Sequence, residues 1–303
     1  MSGKDVKDLL DLIAAFKSNL QHKQFYQAEK LVQKTAPILH KLGAFSLTDS
    51  VDDKLFCLAR EALELSTITS LRLGENDPKN QVLFTTGYKL LKPFYDREQA
   101  LQMAKDPALQ RLNPSASQRN KITALYLVYL LSEGNITEFD TVLAGLRDVD
   151  EDSVKNDPLL KYPIDLAASM TDGRYNVAWE QLKHQTRNKK NSGGLSGQAK
   201  LPEEFEIFSP VLLSTIRMWM AASAEKAYES LSISSAKDVL KLDSEGDVVE
   251  FAQARGWVLR DGRIYFPQSE VEHAQGSETS VSHASRAIIE NGIGYAQQLG
   301  TIV

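Results

Sequence analysis

One cysteine among 303 residues, Cys57, excludes intramolecular disulfides and every zinc site built on paired thiolates. It points to a reducing compartment, the cytoplasm and nucleus. Long apolar runs are also missing. No stretch is expected to reach transmembrane length, so no membrane association is expected. The first twenty residues set Lys4, Asp5, Lys7, Asp8 and Asp11 among their apolar positions, which leaves no signal-peptide core. Basic charge is in deficit as well. Thirty-five Lys and Arg stand against 40 Asp and Glu, a formal charge of -5, and general polyanion binding needs the opposite surplus.

Catalytic signatures are absent in the same way. The histidines His22, His40, His184, His273 and His283 form neither a His-x-His nor a His-Glu-x-x-His pair. There is no phosphate-binding loop of Walker type and no Gly-x-Gly-x-x-Gly. Gly194-Leu195-Ser196-Gly197 lacks the Gly-x-Ser-x-Gly spacing of a nucleophile elbow. The carboxylate pairs Asp52-Asp53 and Glu203-Glu204 fall at helix starts, where they complement the dipole. The expectation is a protein without catalytic residues, cofactor or metal. Asn135-Ile136-Thr137 is a formal glycosylation sequon that matters only in a secreted protein.

What is present is helical periodicity. Val6, Leu9, Leu10, Ile13, Phe16 and Leu20 recur at steps of three and four and are expected on one face. A second helix carries Phe25, Ala28, Leu31, Val32 and Leu39 and is perturbed near Pro37. A third spans Asp53 to Leu73. A fourth spans Pro78 to Leu91 and is expected to stop or kink before Pro93. Ser115 and Ser117 introduce the next, whose Ile122 and Leu125 to Leu131 are apolar almost all round, the mark of a helix buried on several sides.

Phe25-x-x-Ala28, Ile136-x-x-Phe139 and Tyr175-x-x-Ala178 each open a helix, the last two after Gly134 and Gly173. A large residue followed three positions later by one on the same face is how stacked helical hairpins meet. A tetratricopeptide-like solenoid is favoured over an irregular bundle. The polar, Gly/Ser-rich segment 187–200 is expected to be a flexible insertion.

The last hundred residues change period. A long helix near Ile207 to Leu231 precedes two short ones, capped by Ser234 or Ser235 and by Asp243 or Ser244. Trp257-Val258-Leu259-Arg260-Asp261-Gly262-Arg263-Ile264-Tyr265-Phe266 then reads as a hairpin, because Asp-Gly suits a type I′ turn. The layout is that of a winged helix following a helical array. A nucleic-acid adaptor is disfavoured because the second short helix exposes Glu245, Asp247 and Glu250, with Arg255 only at its far end. A two-residue loop puts Trp257, Leu259, Ile264 and Phe266 inward, and Val258, Arg260, Arg263 and Tyr265 outward as interface candidates.

Residues 269–280 are expected to be a linker. The tail, 281–303, is expected to be a helix whose stripe of Ile288, Ile289, Ile293, Tyr295 and Leu299 meets a partner bundle. The domains are therefore 1–200 (the array), 201–268 (linking helix and winged helix), the linker, and the tail helix.

Leu90-Leu91-Lys92-Pro93-Phe94-Tyr95, Ala124 to Leu131, Asp157-Pro158-Leu159-Leu160-Lys161-Tyr162-Pro163-Ile164, Gly173-Arg174-Tyr175-Asn176-Val177-Ala178-Trp179 and Phe251 to Phe266 occur in an order that resembles one family. It is the family of twelfth non-ATPase subunits of the proteasome regulatory particle, PCI proteins of its lid. The resemblance implies a non-catalytic subunit supporting ubiquitin-dependent degradation. It implies association with other PCI subunits of the lid through the winged helix, and with the lid helical bundle through the C-terminal helix. The small PCI subunits of the COP9 signalosome and of translation initiation factor three are the alternatives. The insertion at 187–200 is not a feature associated with the family.

Overall fold

A computed structural model describes residues 3–22, 25–44, 53–73, 78–104, 117–148, 154, 156–188 and 202–267. The expected insertion, linker and tail helix lie largely or wholly outside them. Contacts divide the chain into two units, with the boundary between Ile216 and Arg217.

The first unit is a solenoid of helices, α1 (Gly3–Gln21), α2 (Phe25–Lys41), α3 (Asp53–Leu73), α4 (Pro78–Met103), α5 (Arg119–Ser132), α6 (Ile136–Arg147), α7 (Pro158–Thr171) and α8 (Tyr175–Asn188). A 3-10 helix, Glu203–Phe208, and the start of α9 (Ser209–Ala227) complete it. Helices α1, α2 and α3 pack on one another, α4 lies on α3, and α5 meets α3, α4, α6, α7 and the 3-10 segment. That central place explains α5's apolar girth: Ile122 to Val128 and Leu130 to Ser132 are all buried.

Each hairpin is cut by a local signal. Gly134 and Gly173 adopt φ of +72° and +73° after α5 and α7, a left-handed conformation that glycine reaches without Cβ strain. Asn135 then caps α6 by accepting from the Glu138 amide at 3.2 Å. Behind these caps Phe139 and Ala178 are buried, so two of the three repeat signatures face the core. The side chains of Phe25 and Ala28 lie outside the described residues.

The structure corrects several expectations. Helix α4 does not end before Pro93 but runs through it to Met103. The proline ring is exposed, whereas Phe84, Tyr88, Leu91, Phe94, Tyr95 and Glu98 are buried along one stripe that crosses it. Burying Phe94 and Tyr95 is worth about 1.5–3 kcal/mol each, enough to offset the roughly 3 kcal/mol cost of an interior proline. Helix α2 likewise continues through Pro37. In α1, Leu9, Leu12, Ile13 and Phe16 form the buried stripe, while Leu10 is 48% exposed. Helix α5 begins at Arg119, with Gln118 in the cap position; Ser117 just before it accepts from the Arg119 amide at 3.3 Å and donates to Glu64 at 2.9 Å.

Glu203–Ala227 is, by length and composition alone, long and apolar enough to cross a membrane, contrary to the expectation that no stretch reaches that length. In the fold its buried apolar residues are Phe205, Phe208, Leu212, Ile216, Met220, Ala221 and Ala224.

The second unit, from Arg217 onward, is a winged helix. It comprises the end of α9, β1 (Ser230–Ser232), α10 (Ile233–Leu240), α11 (Glu245–Ala254), β2 (Val258–Arg260) and β3 (Arg263–Tyr265). The sheet order is β1-β3-β2, antiparallel throughout. The expected long helix therefore stops at Ala227, and Leu231 belongs to a strand opposite Ile264. The cap of α10 is Ser232, which accepts from the Ser235 amide, rather than Ser234 or Ser235. Ser244 caps α11 in a reciprocal box with Asp247.

Candidate protein-interaction surface

The hairpin register is the one its spacing predicts: Val258 opposite Tyr265, Leu259 opposite Ile264, Arg260 opposite Arg263. Asp261 and Gly262 both take positive φ, 49° and 71°, as a type I′ turn requires. One face of the sheet is core. Ile264 is fully buried, and Trp257 stacks edge-on against Phe266 at 4.8 Å and Phe251 at 5.6 Å. Leu259 is half-buried on the same side.

The other face carries two rows across the three strands. Ser230, Tyr265 and Val258 form one row; Ser232, Arg263 and Arg260 form the next. Val258 is 47% and Tyr265 40% exposed, and both arginines are exposed. Just before β1, Tyr228 is 49% exposed. Sequence reasoning missed Tyr228 and β1 together, because both were read as the end of one helix. The Tyr-Glu-Ser sequence that breaks the apolar period after Ala227 was the available signal. Ile288, Ile289, Ile293, Tyr295 and Leu299 lie outside the described residues.

The helix that a DNA-binding winged helix would insert into the major groove is α11, and it is unsuited to phosphates. Glu245, Asp247 and Glu250 are exposed on it. Arg255, the cation at its far end, is engaged elsewhere: its Nε and Nη2 donate to the two Glu225 carboxylate oxygens at 2.9 and 3.2 Å. It also lies over the Trp257 ring at 5.7 Å, and the Trp257 indole donates to Glu225 at 2.7 Å. Partial burial raises the Glu225 carboxyl, but the hydrogen bonds from Arg255 and Trp257 prevail and hold it below its ordinary value.

Charged groups inside the first unit serve packing. Glu204 is more than a dipole partner at a helix start. It is buried, and it accepts from Arg72 at 2.8 Å and Lys121 at 2.7 Å, tying the 3-10 helix to α3 and α5. Burial raises this carboxyl and the two cations more than reverse that, so it lies below its ordinary value. Glu64 and Glu98 share Arg60 at the α3/α4 joint. Burial pushes both carboxyls up, because one guanidinium does not repay the desolvation of two. Glu64 also accepts from Tyr95, Ser117 and the Gln118 amide. These groups knit helices together. Among the described residues no group of three or more His, Cys, Asp and Glu could hold a metal ion.

The chain is similar to proteasome regulatory subunits. The 26S proteasome regulatory subunit RPN12 of Saccharomyces cerevisiae is 27% identical over 248 residues, 81% of this chain and 80% of that protein. The 26S proteasome non-ATPase regulatory subunit 8 homolog A of Arabidopsis thaliana is 26% identical over 253 residues, 82% of this chain and 79% of the relative. The rpn12 subunit of Schizosaccharomyces pombe is 30% identical over half of each chain. Residues 197–276 match the CSN8/PSMD8/EIF3K family, a span that holds the 3-10 helix and the whole winged helix. The match thus begins at the end of the first unit and takes in the sheet that presents the exposed rows.

Proposed function

We propose that this chain is a non-catalytic structural and assembly subunit of the proteasome regulatory-particle lid, supporting ubiquitin-dependent protein degradation in the cytoplasm and nucleus. The observation that carries the reading is the similarity to RPN12 across four-fifths of both chains. The relatives named above are all subunits of the 26S proteasome, which favours this assembly over the signalosome and initiation factor three. The acidic α11 and the captive Arg255 argue against a nucleic-acid adaptor. In this reading the winged helix, a PCI module, meets other PCI subunits through Val258, Arg260, Arg263 and Tyr265. The C-terminal segment joins a bundle of lid helices through Ile288, Ile289, Ile293, Tyr295 and Leu299.

The test is gentle purification of the tagged chain from its own cells, with its companions identified by mass spectrometry. Lid and ATPase subunits together are the expected result. Signalosome or initiation-factor subunits would move the chain to another assembly, and recovery alone or with nucleic acid would overturn the proposal. Deleting residues 281–303 is expected to leave the remainder folded and to abolish stable incorporation; normal incorporation of that truncation would refute the role given to the tail.

A further inference from the structure

Arg260 and Arg263 stand directly opposite each other at the hairpin tip, on the exposed face of the sheet. Like charges in that relation repel. Among the described residues neither arginine has a carboxylate within ion-pairing distance, Asp261 between them included. The polar side-chain contact of Arg263 is its Nη2 donating to the exposed-face hydroxyl of Ser230 at 3.1 Å. The adjoining row holds Val258 and Tyr265, 47% and 40% exposed. Among the described residues the two opposed cations thus stand beside an apolar strip with no carboxylate to offset their repulsion.

We propose that this face docks a protein surface that places carboxylates opposite Arg260 and Arg263 and an apolar side chain over Val258 and Tyr265. The proposal rests on the assembly reading above and adds the chemistry of the partner. Charge complementarity sets that chemistry. A guanidinium pairs with a carboxylate through two parallel hydrogen bonds, and a partner carboxylate between two arginines turns their repulsion into attraction. A phosphate backbone fits less well. It would need the cations to continue along the face, where Ser230, Tyr265 and Val258 stand instead, and it would meet an acidic α11 on a chain of net charge -5.

The experiment uses the full chain and lid-containing particles purified from cells depleted of it. Binding of the wild type, of the R260E/R263E double variant and of the R260K/R263K double variant is measured across a salt series. The wild type is expected to weaken as salt rises. Charge reversal should weaken binding by about 100-fold, since two like-charge juxtapositions replace two attractions, whereas the lysine variant should stay within about tenfold of the wild type. Circular dichroism and the urea midpoint should show the reversed variant folded.

A reversed variant that binds as tightly as the wild type, with the same salt dependence, would overturn the docking chemistry while leaving the assembly reading standing. A wild type that binds no such particle would overturn the assembly reading itself. If the reversed variant fails to fold, a photo-crosslinking residue at position 265 decides. Capture of a segment bearing Asp or Glu supports the proposal; capture of a segment without carboxylates, or loss of binding to added duplex nucleic acid, refutes it.

Discussion

Replacing Gly87 by alanine would ordinarily stabilise a helix by about 1 kcal/mol, and here it is expected to do the reverse. Gly87 lies where α4 crosses α3, and a Cβ built on it would sit 2.4 Å from Thr67 Oγ1, 3.2 Å from its Cβ and 3.3 Å from its Cγ2. Thr67 is 1% exposed, and its hydroxyl donates to the Leu63 carbonyl at 2.7 Å. Rotating χ1 either turns the methyl toward the crowded place or gives up the hydrogen bond to Leu63, and it leaves the 3.2 Å approach to Cβ unchanged. The helices must separate or the Thr67 hydrogen bond must break. Overpacking costs about 1–3 kcal/mol and a lost buried hydrogen bond about 1 kcal/mol.

Set against the propensity gain, Gly87→Ala should destabilise by about 1–3 kcal/mol. Urea unfolding followed by circular dichroism would read this as a lower midpoint at unchanged slope. Thr67→Ala removes the obstructing atoms, so the double variant should be more stable than Gly87→Ala alone, with a coupling of about 1 kcal/mol or more. A Gly87→Ala protein as stable as the wild type, or strict additivity in the cycle, would refute the close approach of α3 and α4.

The two faces of the small sheet should separate cleanly under mutation. Ile264→Ala, at a fully buried site, should cost about 2–5 kcal/mol of stability, whereas Tyr265→Asp, one residue on, should weaken assembly with little effect on the melt; a Tyr265→Asp protein without a cooperative transition would place that ring in the core. Glu225→Gln should lose about 1–3 kcal/mol and alter Trp257 fluorescence, because the charge beside Arg255 is gone and the new amide NH2 would face the guanidinium Nη2 where a carboxylate oxygen had accepted, disturbing the cluster that holds the indole. Glu204 lies below its ordinary value of 4.5, so its contribution to stability is present above that pH and is lost as pH falls through its lowered value. Glu204→Gln should therefore be less stable at neutral pH and show a shallower loss on the acid side, measured as urea midpoint against pH. Glu64 and Glu98 are raised, so what they contribute has the opposite sign: it is present at low pH and lost as pH rises through the raised values.

Much of this architecture was legible locally. The bounds of α3, the girth of α5, the glycines at 134 and 173, and the register around Asp261-Gly262 all follow from period, capping and turn chemistry within about a dozen residues. These are properties of the chain over one or two turns, and neighbours did not override them. The outward set Val258, Arg260, Arg263 and Tyr265 was readable for the same reason, since alternation along a strand assigns faces without reference to the rest of the fold.

Other features depended on residues far along the chain. Glu204 meets Arg72 across 132 residues, and no local pattern announces that ion pair. Pro93 is carried inside a helix because Phe94 and Tyr95 find buried places beside it, a tertiary gain that outweighs a local penalty. Ser230–Ser232 is a strand because β3 offers it a hydrogen-bonding edge; three residues alone have too little propensity to declare one. Sequence alone thus determined which segments form helices and the hairpin, and which face of the hairpin is apolar. Tertiary structure decided which breaks are bridged, which charges are buried in pairs, and that the sheet has a third strand, because each depends on burial and pairing between segments distant in the chain.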